Sequence, residues 1–203
     1  MRYQFLVDTY ETERLKVLSV WSMFHDEDLP IRPRPDDTRG RSVLEQMVHQ
    51  LMSEEGWFRM MLGIGVEAPT LPASEDRLSF IRRYAEDSQK RLTALRAKED
   101  AWWEESVLFF NVERSRAWVM VRRVAHTSHH RGQQMAMLRM LGRDLHSNYG
   151  PTADTGGLPA NGARVIYPYL DVVELLQDGS KAALPGPSAK PVTERGPGLQ
   201  PMV

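Results

Sequence analysis

The 203-residue chain sets 26 Lys and Arg against 27 Asp and Glu, a formal net charge of −1, so no global field draws it to nucleic acid or to an anionic membrane. It has no cysteine, which excludes disulfides, thiolate nucleophiles and zinc–thiolate sites and fits a cytoplasmic protein. With 41% hydrophobic and 26% charged residues, and no apolar run near the ~20 residues of a membrane span, the expectation is a soluble domain with one real core.

The first helix is predicted over residues 3–24. Tyr3, Leu6, Val7, Tyr10, Val17, Leu18, Trp21 and Phe24 recur at three- and four-residue intervals, interrupted only at Arg14. The early charges of this segment rule out a signal peptide. Pro30, Pro33 and Pro35 then forbid helix and mark a connector. A second helix opens with Ser42 as N-cap and Glu45 three residues on, a capping box. Leu44, Met47, Val48, Leu51, Phe58 and Leu62 form its buried face, and Gly63 with Gly65 close it. A third helix begins near Ser74, where Leu78, Ile81, Ala85, Ser88, Leu92 and Leu95 alternate by three and four as a bundle seam does.

The aromatic stretch "KEDAWWEESVLFFN" reads as a connector packed across the bundle, with Trp102 and Trp103 as packing residues. The fourth helix is predicted over 113–141, ending at Gly142, with Trp118 likewise assigned to packing. It is apolar on two sides. Val121, Ala125, Ser128, Gly132 and Met135 share one side, and Val119, Met137 and Leu141 lie nearly opposite. One side is expected to face the bundle core, the other a cavity or a second subunit. Residues 146–178, rich in Gly and Pro, read as an ordered loop with a short helix at "YLDVVELLQ", and 179–203 as a disordered tail. Four long helices with no strand pattern between them predict an all-α four-helix bundle over residues 1–145.

Three of the six histidines fall in "HTSHHRGQQ", residues 126–134. Residues four apart on a helix differ by about 40° in direction, so His126 and His130 project together, one turn apart. A pairing of His126 with His129 is also open, but it leaves His130 to one side. The H-x-x-x-H spacing alone is a common chance occurrence. A third histidine, His49, in the middle of the second helix strengthens it, because facing bundle helices are where metal sites are built.

With these residues in view, "MVHQLMSEEGWF" and "RVAHTSHHRGQQMAMLRMLG" resemble the DinB/YfiT-like family, over residues 1 to about 145. The resemblance implies a four-helix bundle in up-down-down-up order with long crossover connections. It also implies a divalent metal ion held by His49, His126 and His130, with His129 outside the ligand set because R-G-Q follows His130 directly. Zinc or nickel is expected, with iron, manganese or copper as further candidates, since imidazole does not select among them. Members of the family include thiol S-transferases that use low-molecular-weight thiols, a thiol-dependent isomerase and presumed hydrolases. The expected function is therefore a metal-dependent enzyme acting on a small molecule, by hydrolysis or thiol S-transfer, in a homodimer. The alternative is a non-catalytic, stress-related metal-binding bundle in which the ion is structural.

Around this triad, Glu45 is the nearest carboxylate able to complete a site, although its capping role comes first. Arg122 and Arg123 read as a solvated edge or an ion pair. Arg131 and Gln133 either support a ligand or anchor the helix. Tyr149 and Asp154 are candidates for a pocket mouth. No catalytic residue is assigned from sequence, and the lack of any G-x-S-x-G turn sets a serine hydrolase aside.

Overall fold

In a computed structural model, residues 1–143 and Leu145 are described. The expectations placed on 146–203, including Tyr149, Asp154, the short helix and the tail, lie outside these residues. The elements are α1 (Gln4–Met23), a 3-10 turn (Asp26–Asp28), α2 (Val43–Leu62), α3 (Arg77–Arg96), the short α4 (Asp100–Glu104), β1 (Ser106–Phe109), β2 (Val112–Ser115) and α5 (Arg116–Met140).

The helix boundaries follow local chemistry. Ser42 Oγ accepts from the Glu45 amide while the Glu45 carboxylate accepts from the Ser42 amide, completing the expected capping box. Gly63, at φ 66, turns the chain out of α2 in the left-handed region that a Cβ disfavours. α3 starts three residues later than expected because Asp76, rather than Ser74, caps it through the Ser79 amide. Leu78 therefore sits in the first turn and is 36% exposed, outside the seam that Ile81, Ala85, Ser88, Leu92 and Leu95 form.

Side-chain pairs fix the helix directions. Tyr10 meets Glu54 and Trp21 meets Gln50, so α2 runs antiparallel to α1. Arg14 meets Ser88 and Arg96 meets Glu11, so α3 does too. Glu13 meets Ser128 and Trp21 meets Gln134, so α5 runs with α1. This is the up-down-down-up bundle.

One expectation fails. The segment after α4 is not an irregular connector but a β-hairpin, β1 paired antiparallel to β2 from Ser106–Ser115 to Phe109–Val112 around the turn Phe110–Asn111. Glu113, Arg114 and Ser115 belong to it, so α5 begins at Arg116 with Ser115 as its cap. β1 alternates exposed and half-buried positions but puts Leu108 on its exposed face, and β2 is mostly exposed, so no apolar–polar alternation marked them.

Two apolar clusters fill the bundle. Val17, Leu18, Trp21, Phe24, Met47 and Leu51 belong to one. Leu6, Val7, Tyr10, Phe58, Leu92, Trp103 and Val119 belong to the other. Buried polar residues sit between them: Glu13, Arg14, Gln50, Glu54, Glu55, Ser88, Arg91, Arg123, Thr127, Arg131 and Gln134. α5 turns its Val119 and Met137 side inward, while Val121, Ala125 and Gly132 are exposed in the single chain and Ser128 and Met135 are half-buried. No helix among the described residues is long and apolar enough to cross a membrane.

Candidate metal centre

His49 stands on the middle of α2, and His126 and His130 stand one turn apart on α5, which packs antiparallel beside it. A ligand-capable atom of each lies within 4.8 Å of those of the other two. Ring centroids are 4.5 Å apart for His49–His130 and for His126–His130, and 5.4 Å for His49–His126. His130 is buried, and the other two are half-buried at the edge of the polar belt. The three expected histidines thus form a potential metal-binding cluster. His129 points outward and is bonded to Gln133 instead.

The polar neighbours hold one tautomer. Gln46 Nε2 donates to Gln133 Oε1 at 2.8 Å, so Gln46 turns its oxygen to His130. That oxygen only accepts, so His130 Nδ1 carries the proton across 2.9 Å. Its Nε2 then presents a lone pair, 3.2 Å from His126 Nε2. A tetrahedral ion with bonds of ~2.0–2.1 Å sets two ligand nitrogens about 3.3 Å apart. His126 Nδ1 is buried without a partner, so on that side no protein group fixes the ring's proton. The donor set fits a divalent metal ion and does not select which one.

The electrostatics favour neutral imidazoles. Burial first, then the Arg123 charge, pushes His126 down to about 3. Burial, then His49, pushes His130 down to about 4. His49 is lowered by burial, Arg41 and Arg123. A neutral imidazole is the form that binds metal.

Glu45 does not complete the cluster. Its carboxylate caps α2 and pairs with Arg32, as its capping role implied. Of the two residues left between roles, Arg131 anchors α5 by pairing with the buried Glu13, and Gln133 holds the Gln46 amide that orients His130. Arg123 forms the interior ion pair, 3.5 Å from Glu54, while Arg122 is exposed. Trp103 is fully buried and Trp102 half-buried, as packing residues, but Trp118 is 40% exposed.

Two neighbours of the cluster carried no sequence signal. Gln46 lies one turn before His49, where a glutamine reads as surface. Trp57, two turns after it, reads as core, yet its ring lies 5.3 Å from that of His126.

The DinB family model matches residues 5–156 of the chain. A DinB-like protein of Bacillus cereus is similar in structure, with a TM-score of 0.63 at 17% identity, covering 71% of this chain and 95% of that one. A DinB-like protein of Bacillus subtilis, YjoA, superposes with a TM-score of 0.53 at 13% identity, over 68% of this chain and 92% of that one. No curated protein sequence matches the chain.

Proposed function

The chain belongs to the DinB family, and from that premise we propose that His49, His126 and His130 hold a divalent ion whose open coordination positions serve chemistry on a small molecule, either hydrolysis or thiol S-transfer. The observation that carries this reading is a cluster of three imidazoles that no carboxylate joins among the described residues. Closed structural sites take four protein ligands, whereas three leave a place for a substrate. When bound, such an ion supplies Lewis acidity toward water or toward a substrate oxygen or sulfur. The chain's own part is to hold the proton on His130 Nδ1 through Gln46, to keep all three imidazoles neutral, and to cover one face of His126 with Trp57.

Purified protein should carry about one divalent ion per chain. Chelation should lower the melting temperature only moderately and leave far-UV circular dichroism intact, because both apolar clusters are built from side chains other than the three histidines. The visible spectrum of cobalt-substituted protein should change on adding a small thiol. A metal-free protein that loses cooperative structure would assign the ion to the structural alternative. A folded one whose cobalt spectrum ignores every added ligand would remove the enzyme reading.

The exposed strip of Val121, Ala125 and Gly132 on α5 belongs, in this reading, to a homodimer contact between copies of that helix. Val121 is 53% exposed, and no atom lies within 4 Å of a Cβ built on Gly132, so a second helix can approach closely. Sedimentation velocity should give a dimer at micromolar concentration, and a monomer there would refute the contact.

A further inference from the structure

Beyond the histidines, α5 carries a row that repeats every four residues: Trp118, Arg122, His126, His130. Each step drifts about 40° and rises about 6 Å, so the row passes from the candidate metal centre to a cation and then to an aromatic ring. The aromatic end is broad. Trp57 lies 5.3 Å from His126, 5.1 Å from Phe109 and 6.4 Å from Phe110, and Phe109 lies 5.0 Å from Trp118. Phe110 is 69% exposed and sits at φ 55, a left-handed conformation that a phenylalanine rarely adopts. The hairpin thus holds an exposed ring beside Trp57 at a cost in backbone strain.

The charge around the cluster has one sign. Arg41 acts on His49 and His130 from the start of α2, and Arg122 acts on His126 from α5. Neither arginine is in an ion pair among the described residues, although the Arg41 charge also acts on Glu45, whose carboxylate is paired with Arg32. The surface from His130 to the hairpin tip therefore combines two cations, of which the exposed Arg122 has no paired carboxylate among the described residues, with a wall of aromatic rings.

We propose that this surface binds an aryl carboxylate, with its anionic head between Arg41, Arg122 and the three histidines and its ring against Phe109, Phe110 and Trp118, which Trp57 backs from the core. The inference rests on the metal reading only in setting the head group beside an ion. The arginines and the rings stand without it.

The test uses the full chain, cobalt-loaded and chelator-stripped, titrated with phenylacetate, acetate and phenethylamine and followed by tryptophan fluorescence and by competition. Phenylacetate should bind at least about tenfold more tightly than either of the others, since it alone has both the anionic head and the ring. Phe110→Gly removes a ring at a position whose φ glycine adopts freely, so the hairpin is kept. It should weaken phenylacetate about fivefold to tenfold and leave acetate unchanged. Arg122→Gln should weaken both anions, and neither variant should change metal content. Phenethylamine binding as well as phenylacetate, or phenylacetate indifferent to Phe110→Gly, overturns the proposal. Absence of bound metal would sink the metal reading alone, because the preference for phenylacetate over phenethylamine should persist in the stripped protein. Loss of that preference in both forms, with metal content normal, would sink this inference alone.

Discussion

Glu54→Ala should lower the unfolding free energy by about 3–5 kcal/mol, the cost of breaking a buried ion pair from one side. Glu54 is 1% exposed and its two oxygens are fully engaged. Oε1 accepts from the Tyr10 hydroxyl at 2.7 Å and faces Arg91 at 3.4 Å. Oε2 accepts from the Tyr84 hydroxyl at 3.2 Å and faces Arg123 at 3.5 Å. Both guanidinium groups are buried between the two apolar clusters, and each has an Nε without a partner already. Without Glu54, Arg91 keeps Glu55 at 2.6 Å, but Arg123 keeps no carboxylate, only the hydroxyls of Ser53 and Thr127 and the face of Trp57. Burial lowers the Arg123 pKa, with Glu54 the leading opposing influence, so its removal leaves a charge in the core with no counterpart. Urea unfolding followed by circular dichroism measures the loss. The exposed pair Arg96–Glu11 is the control, where Glu11→Ala should change stability by less than ~1 kcal/mol. A loss at Glu54 no larger than that would mean the buried network is not holding the four helices in register.

This network is where sequence reading is weakest. "SEEGWF" on the second helix looks like a solvated turn of charge, and it is partners on three other helices, Tyr10, Tyr84, Arg91 and Arg123, that make Glu54 interior. Arg14, which interrupts the stripe of α1, is a buried donor to Ser88 Oγ and the Ala85 carbonyl. Neither set of partners can be found by periodicity, because both depend on which helices become neighbours. The hairpin was invisible for another reason. The exposed face of β1 carries Leu108, and β2 is exposed at three of its four positions, so the residue types lack the alternation that marks a half-buried strand. The histidine cluster was legible because an H-x-x-x-H pair is a local property of one helix. It needed only one further histidine on a neighbouring helix, and capping and seam patterns had already drawn that helix.

Removing one ligand of the cluster should have the largest effect on metal affinity. His49→Ala, His126→Ala and His130→Ala should each weaken binding by more than the ~10–100-fold that loss of a ligand's hydrogen-bond partner costs. Gln46→Ala, which removes the acceptor at His130 Nδ1, should fall within that range. His129→Ala should leave metal content nearly unchanged, because His129, although its ring lies 5.1 Å from that of His130, is exposed, bonded to Gln133 and outside the cluster of three. Metal content after dialysis against a competing chelator reads all five variants. Equal retention in the three ligand variants would end the triad, and a larger loss at His129 than at His126 would mean that α5 presents a different face. The pH dependence supplies an independent arm. Ordinary histidines, with pKa ~6.5, begin to lose metal to protons just below neutrality. His126 and His130, held down to about 3 and about 4 chiefly by burial, should not, so occupancy should stay flat from pH 8 to 6. The same depression has the opposite sign for folding. The unfolded chain takes up protons near pH ~6.5 while the folded one refuses them, so the metal-free protein should lose stability as pH falls below ~6.5. A chelated protein equally stable at pH 7 and 5, alongside metal occupancy already falling at pH 7, would place the three imidazoles in water rather than at the edge of the buried belt.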